Sequence, residues 1–318
     1  MARRKPAYYD ELPGLFDEFD SQESISEPSP IEPLKPILPA STLKYISFGS
    51  GSSGNCSYLG NKNYGILIDA GVEPDHIIKE LLHNGITMDS IGGIILTHDH
   101  GDHIRYAYML VRKHRHMRIY CTPKTLNGIL RRHNISRRIK DYHQPIFKEF
   151  QFQLSDFAIT PFEVHHDGTD NVGFMIEYDG HRFVVATDMG EVSERADFYI
   201  RQANHLMIES NYDLNMLLNG TYPEYLKARI LSKNGHMDNE ATARYLKEIY
   251  TPALRNIFLC HLSHDNNKPE IARDASLREL SKLNITIGDG TGSIDTRDAN
   301  IQLMTLPRFD STGPLTLR

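Results

Sequence analysis

Seven consecutive residues constrain this chain more than any other stretch: Thr-His-Asp-His-Gly-Asp-His, from Thr97 to His103, directly behind the apolar run Ile94-Ile95-Leu96. A buried strand that ends on three imidazoles and two carboxylates brings nitrogen and oxygen donors together on one short loop, and such donors suit zinc, manganese or iron. Any one of these histidines alone reads as an ordinary surface or core residue. Packed into six residues, they point to a metal site. His98 and His100, two apart, can serve one ion, and Asp102 and His103, beyond the tight turn at Gly101, a second.

Two ions need more ligands than one loop holds, and candidates recur behind other apolar runs. His165-His166-Asp167 follows Phe162-Glu163-Val164, Asp188 follows Phe183-Val184-Val185 in Ala-Thr-Asp-Met-Gly, and His261 follows Ile257-Phe258-Leu259-Cys260. Both His165 and His166 fit as donors at this level. The recurrence predicts one site assembled from several strand ends.

The surrounding pattern agrees. From Leu43 onward, short β-type runs are separated by glycine-rich turns: 43–48, 64–68, 92–96, 118–120, and later 150–154, 158–163, 173–178, 181–186, 205–209 and 257–260. Helical spacing marks 74–84, 104–114, 222–232, 240–250 and 269–283. Two β-rich halves, each with helices, predict sheets packed face to face with helices outside. Residues 1–42, rich in Ser, Pro and acids, read as a flexible arm, with Tyr8, Tyr9, Leu15, Phe16 and Phe19 offering a docking point. The three cysteines form no Cys-x-x-Cys pair and are expected to be buried free thiols. No run approaches the ~18 apolar residues of a membrane span, and the start Met-Ala-Arg-Arg-Lys has no apolar core behind it, so a cytoplasmic protein with no membrane association is expected.

The formal net charge of −6 argues against nucleic acid on average, but the charge is unevenly placed. Residues 1–40 carry eight acids and four bases, whereas 104–140 holds eleven Lys/Arg and no acid. Such a segment, starting beside the metal loop, reads either as a phosphate-binding track or as a solvated face paired with acids elsewhere.

The ordered set T-H-x-H-x-D-H, His, T-D-x-G, His is similar to the motif order of the metallo-β-lactamase superfamily. The likeness to the bacterial WalJ/YycJ family is closer, through S-G-S-S-G-N-C (50–56), L-I-D-A-G (67–71), H-D (166–167), A-T-D-M-G (186–190), E-S-N-Y-D (209–213), G-H-M-D-N (235–239) and H-L-S-H-D-N-N (261–267). It spans about residues 43–290. The resemblance implies an α+β fold, the metallo-β-lactamase-like four-layer αβ/βα sandwich, over residues 43–318. It implies two divalent metal ions, Zn²⁺ or Mn²⁺ and also Fe, one on His98, His100 and His166 and the other on Asp102, His103 and His261, with Asp188 bridging. Asp69 matches a position of structural support. Asp102 and His236 are the expected catalytic residues. His236 resembles the auxiliary histidine that phosphodiesterase members place just before a helix; it reads equally as a surface residue beside the helix cap at Asp238 or Asn239.

Two such ions lower the pKa of a shared water far enough to give hydroxide near neutral pH and polarise the substrate oxygen, chemistry that serves esters, lactams and phosphodiesters alike. The surroundings therefore decide the substrate. Ser53 and Asn55 in the Ser50–Asn55 loop, which can cradle a phosphate or simply turn the chain, and Arg105, Arg131 and Arg132 in the basic segment are the expected phosphate contacts. The family likeness implies a nuclease, a 5′ exonuclease on DNA. The alternatives are a lactonase, thioesterase or β-lactamase-like hydrolase, and a non-catalytic nucleic-acid-binding protein.

Overall fold

The computed structural model describes residues 41–290 and 298–317. Residues 1–40, nearly all of the arm expected over 1–42, lie outside the described residues, as does the docking point anticipated there.

The strands are β1 (Leu43–Gly49), β2 (Cys56–Gly60), β3 (Gly65–Ile68), β4 (Ile91–Ile95), β5 (Arg118–Cys121), β6 (His143–Pro145), β7 (Phe152–Leu154), β8 (Phe157–Glu163), β9 (Val172–Tyr178), β10 (His181–Ala186), β11 (His205–Glu209), β12 (Asn256–Cys260), β13 (Ile287–Gly288), β14 (Ile301–Thr305) and β15 (Leu315–Leu317). They form two mixed sheets, ordered β15-β1-β2-β3-β4-β5-β6 and β13-β14-β12-β11-β10-β9-β8-β7. The helices are α1 (Pro74–His83), α2 (Gly101–Ile104), α3 (Ala107–Lys113), α4 (Pro123–Arg132), α5 (Glu194–Ile200), α6 (Leu214–Asn219), α7 (Glu224–Ile230), α8 (Asn239–Ile249) and α9 (Pro269–Leu280).

Successive strand residues face opposite sides, and here both sides are apolar. On β1, Tyr45 faces the other sheet while Ile46 and Phe48 face helices; on β10, Phe183 and Val185 face the first sheet while Val184 and Ala186 face helices. Three cores result. One lies between the sheets, built on Tyr45, Ile66, Phe157, Phe174, Phe183 and Phe258. A second packs α1, α3 and α4 on the first sheet, and a third packs α5, α8 and α9 on the other. The four-layer αβ/βα sandwich follows from this double burial, which also explains why the strands read as near-continuous apolar runs. Cys56, Cys121 and Cys260 are free and buried, as expected.

The helix anticipated over 104–114 is two pieces. A continuous helix would need the carbonyls of Asp102 and His103 for the amides four residues on. Asn55 N–H donates to the first at 2.8 Å and Ala70 N–H to the second at 2.7 Å, so α2 ends after one turn and α3 starts afresh. Tertiary contacts override the local pattern, and in doing so they pin the loop from Thr97 to His103. β2, β6, α4, α5, α6 and the strands after residue 284 lie outside the expected elements; α4 has Leu126 and Ile129 buried on one face and begins at Thr122, whose hydroxyl accepts from Thr125 N–H at 3.1 Å.

Candidate metal centre

Every sequence-predicted ligand stands at or just beyond the carboxyl end of a strand: His98 to His103 after β4, His166 after β8, Asp188 after β10 and His261 after β12. Asp69, Asp188 and His261 adopt left-handed backbone, φ 60, 54 and 55. Side-chain-bearing residues seldom do so without cost, and three such bends turn the chain sharply off β3, β10 and β12 at the same edge. Gly71 shows how tight that edge is: a Cβ there would sit 1.5 Å from the Asp102 carbonyl oxygen.

The bends bring donors together in overlapping groups whose ligand atoms all lie within 4.8 Å of one another: His98, His100 and His166; Asp102, His103 and His261; His98, His103 and Asp188; and Asp188, Glu209, His236 and His261. His165 lies outside them, facing Glu191 at 3.3 Å.

The unused ring nitrogen of each histidine is held. Thr97 Oγ donates to Asp69 at 2.9 Å, so it must accept from His98 Nδ1 at 3.0 Å, and this leaves His98 Nε2 unprotonated, buried and without a hydrogen-bond partner. Asp69 also accepts from His103 Nδ1 at 2.7 Å, which makes the support expected of it concrete. Gly235 carbonyl accepts from His166 Nδ1 at 3.0 Å. Asp167 stands 3.3 Å from His100 Nε2, and Glu209 3.1 Å from His261 Nδ1. An orphaned buried nitrogen among imidazoles oriented from behind is the arrangement a metal ion completes, and a donor set of nitrogen and carboxylate oxygen without sulfur fits zinc, manganese or iron.

The electrostatics divide the cluster. Burial pushes the His98 and His166 imidazoles down, and His100 to about 4, so these three stay neutral with lone pairs to offer. Burial opposes charge on His103 and His261 as well, but Asp102, Asp188 and Asp69 outweigh it at His103, and Asp188, Asp102 and Glu209 lift His261 to about 10. Asp188, despite burial, is held well below the carboxylate range by His261 and His103. The carboxylate-rich half thus favours positive charge, which a bound cation would supply in place of protons.

Glu209, to which no role was assigned from sequence, is fully buried and central. Its Oε1 lies 2.7 Å from His236 Nδ1, and its Oε2 accepts the amides of Met189 and Met237 at 3.1 Å. The signal was present, since it is the acid closing the apolar run Leu206-Met207-Ile208, as the ligands close theirs.

The expected phosphate contacts are distributed differently. Asn55 is buried and its amide is engaged with Gly51 O at 3.0 Å, Asp102 at 3.1 Å and His103 Nε2 at 3.0 Å, so it braces the centre rather than facing outward. Ser53 is exposed at the loop tip, where its carbonyl accepts from Arg105 at 3.1 Å. Arg131 and Arg132 are exposed on the last turn of α4, which is fixed to the metal loop by His133 Nε2 to the Asp99 carbonyl at 2.7 Å. Arg132 lies 3.6 Å from Asp99. Among the described residues it is the one cation of 104–140 paired with a carboxylate.

A sequence model of the beta-lactamase superfamily domain matches residues 64–261. Exodeoxyribonuclease YycJ of Bacillus anthracis is 31% identical over 260 residues, 80% of this chain and 95% of that one. The chain belongs to the metallo-β-lactamase superfamily, in the YycJ/WalJ family. A second family relative, exodeoxyribonuclease WalJ of Streptococcus pneumoniae, is 31% identical over 247 residues, 77% of this chain and 91% of that one. The superfamily fold is shared with YhfI of Bacillus subtilis at a TM-score of 0.59 and 17% identity, covering 85% of this chain and 98% of that one. Like its superfamily relatives, the chain is a metal-dependent hydrolase. Among the described residues, no helix is long and apolar enough to cross a membrane.

Proposed function

We propose that this chain is a dinuclear phosphodiesterase of the cytoplasm that cleaves DNA, removing nucleotides from a 5′ end. The observation that carries this is the run of cations at 104–140, ten of the eleven without a carboxylate partner among the described residues (the eleven less Arg132), beginning beside the metal loop. An acyl substrate gives such a track no role, whereas a polyphosphate chain releases counterions along it. The relatives named exodeoxyribonuclease point the same way.

His98, His100 and His166 would hold one cation, Asp102, His103 and His261 the other, with Asp188 between them. Two divalent ions bound there would supply an activated water and draw charge from the phosphoryl group. The remaining work falls to side chains. Glu209 fixes His236 through Nδ1 at 2.7 Å, leaving Nε2 to donate a proton to the departing oxygen. Asp102 joins the same group as His103 and His261 and keeps its charge at the point of attack. Arg105, Arg131 and Arg132 steer the backbone towards the centre.

The test is cleavage of 5′- and 3′-labelled single- and double-stranded DNA and RNA with Mn²⁺ or Zn²⁺, beside bis-p-nitrophenyl phosphate and a lactam. DNA shortening from the 5′ end is expected. Turnover of the lactam with no phosphodiester cleaved would refute the proposal. Neutralising Arg131, Arg137 and Arg138 together to Gln should weaken DNA binding about 10-fold and flatten its salt dependence.

A further inference from the structure

The segment between β11 and α8 is anchored directly on the metal centre. Gly235 carbonyl accepts from His166 Nδ1 at 3.0 Å, His236 meets Glu209, and a Cβ on Gly190, two residues past Asp188, would lie 2.4 Å from the Lys233 carbonyl oxygen. These contacts fix the placement of α7, which immediately precedes them.

From α7, Arg229 reaches Asp167 with two nitrogens, Nε to Oδ2 and Nη2 to Oδ1 at 3.0 Å. The same Asp167 oxygen is 3.3 Å from His100 and 3.4 Å from His166, so the guanidinium stands one carboxylate away from two imidazoles of the three-histidine group. Arg229 is half-exposed, and its Nη1 has no partner among the described residues. The pairing explains how Arg229 is aimed and leaves its outer edge unspent. Four residues earlier on α7, on the same helix face, Tyr225 is 77% exposed. A large aromatic ring held in water is the side chain on which a nucleobase stacks, and a guanidinium fork is the side chain that grips phosphate oxygens.

We propose that this face of α7 holds the nucleotide at the reacting phosphate, Arg229 binding a phosphate oxygen while remaining paired with Asp167, and Tyr225 stacking on the adjoining base. It rests on the phosphodiesterase function proposed above. Through Asp167, Arg229 is also tied to His100, so a purely structural role predicts something different: loss of metal.

The experiment compares the unsubstituted protein with Arg229→Gln, Arg229→Lys, Tyr225→Ala and Tyr225→Phe. With Arg229→Gln, kcat/KM on labelled duplex DNA and on bis-p-nitrophenyl phosphate should each fall about 100-fold at unchanged metal content, and Arg229→Lys should recover about tenfold of that loss. Binding of a fluorescein-labelled phosphorothioate DNA to metal-stripped protein should weaken about tenfold with Tyr225→Ala and stay within about twofold with Tyr225→Phe. Metal lost in step with activity in Arg229→Gln, or Tyr225→Ala binding within twofold of the unsubstituted protein, would overturn the proposal. An unsubstituted protein that cleaves no phosphodiester would end the proposed function and this inference together, whereas full activity in the unsubstituted protein and in Arg229→Gln alike would end the inference alone.

Discussion

Histidines gather at both ends of β10, β11 and β12, and the two gatherings behave differently. At the carboxyl ends, His98, His100, His103, His166, His236 and His261 lie among Asp102, Asp188 and Glu209. At the amino ends, His181 and His205 pair with each other, Nδ1 to Nε2 at 2.9 Å, and the outer nitrogens are taken by Ser41 carbonyl at 2.7 Å and the side-chain amide of Asn256 at 2.8 Å. The amino-end pair is saturated and has no carboxylate in its hydrogen bonds. Burial is common to both ends. What marks the functional end is a nitrogen with nothing to bond, as in His98 Nε2, aimed where acids gather.

The contrast would be broken most severely by Asp188→Ala, which removes the carboxylate common to two of the four donor groups at the functional end. We expect metal content to fall sharply and hydrolysis to drop by at least about 1000-fold, read by elemental analysis beside a phosphodiesterase assay. Full metal content with full activity would dissolve the distinction. Glu209→Gln keeps the shape but weakens the hold on His236; kcat should fall about 100-fold, and a shift in the acidic or basic limb of the pH–rate profile would separate proton donation from simple misfolding. Asp69→Asn leaves every direct donor in place and disturbs His103 and Thr97 from behind, so metal affinity in a chelator competition should fall about 10- to 100-fold.

The smallest effect belongs to the saturated end. Burial, and then the neighbouring His181, hold His205 down to about 3. An unfolded chain takes that proton near 6.5, so His205 costs no stability above about 6.5 and progressively destabilises the fold as the pH drops from there towards 3, by about 1.4 kcal/mol per unit. His205→Gln should therefore show a lower Tm at pH 7.5 but a shallower fall in Tm between pH 7 and 5, with metal content unchanged. A slope identical to the unsubstituted protein's would show that the pair titrates freely.

Much of the site was legible because metal ligands must be particular residue types and because they close apolar runs. Thr97 to His103, Asp188 and His261 could be named from that alone, and the strands carrying them were recognisable since burial on both faces leaves little but Val, Ile, Leu and Phe. Asn55 was misjudged in orientation. In sequence it belongs to a Ser/Gly loop suited to phosphate, yet its amide braces Asp102 and His103. Glu209 and Arg229 carried no role because theirs depends on partners 27 and 62 residues away. The helix break at Arg105 and Tyr106 was equally invisible, being imposed by amides of Asn55 and Ala70.

The sequence by itself determined the donor chemistry, the double-sided burial of the sheets and the uneven placement of charge, because these follow from residue type and local spacing. Only the tertiary structure decided which ring nitrogens are spent and which are free, and which cations lack an acid among the described residues. Hydrogen bonds and ion pairs are short-ranged, so those outcomes depend on which distant strand ends come within about 3 Å of one another.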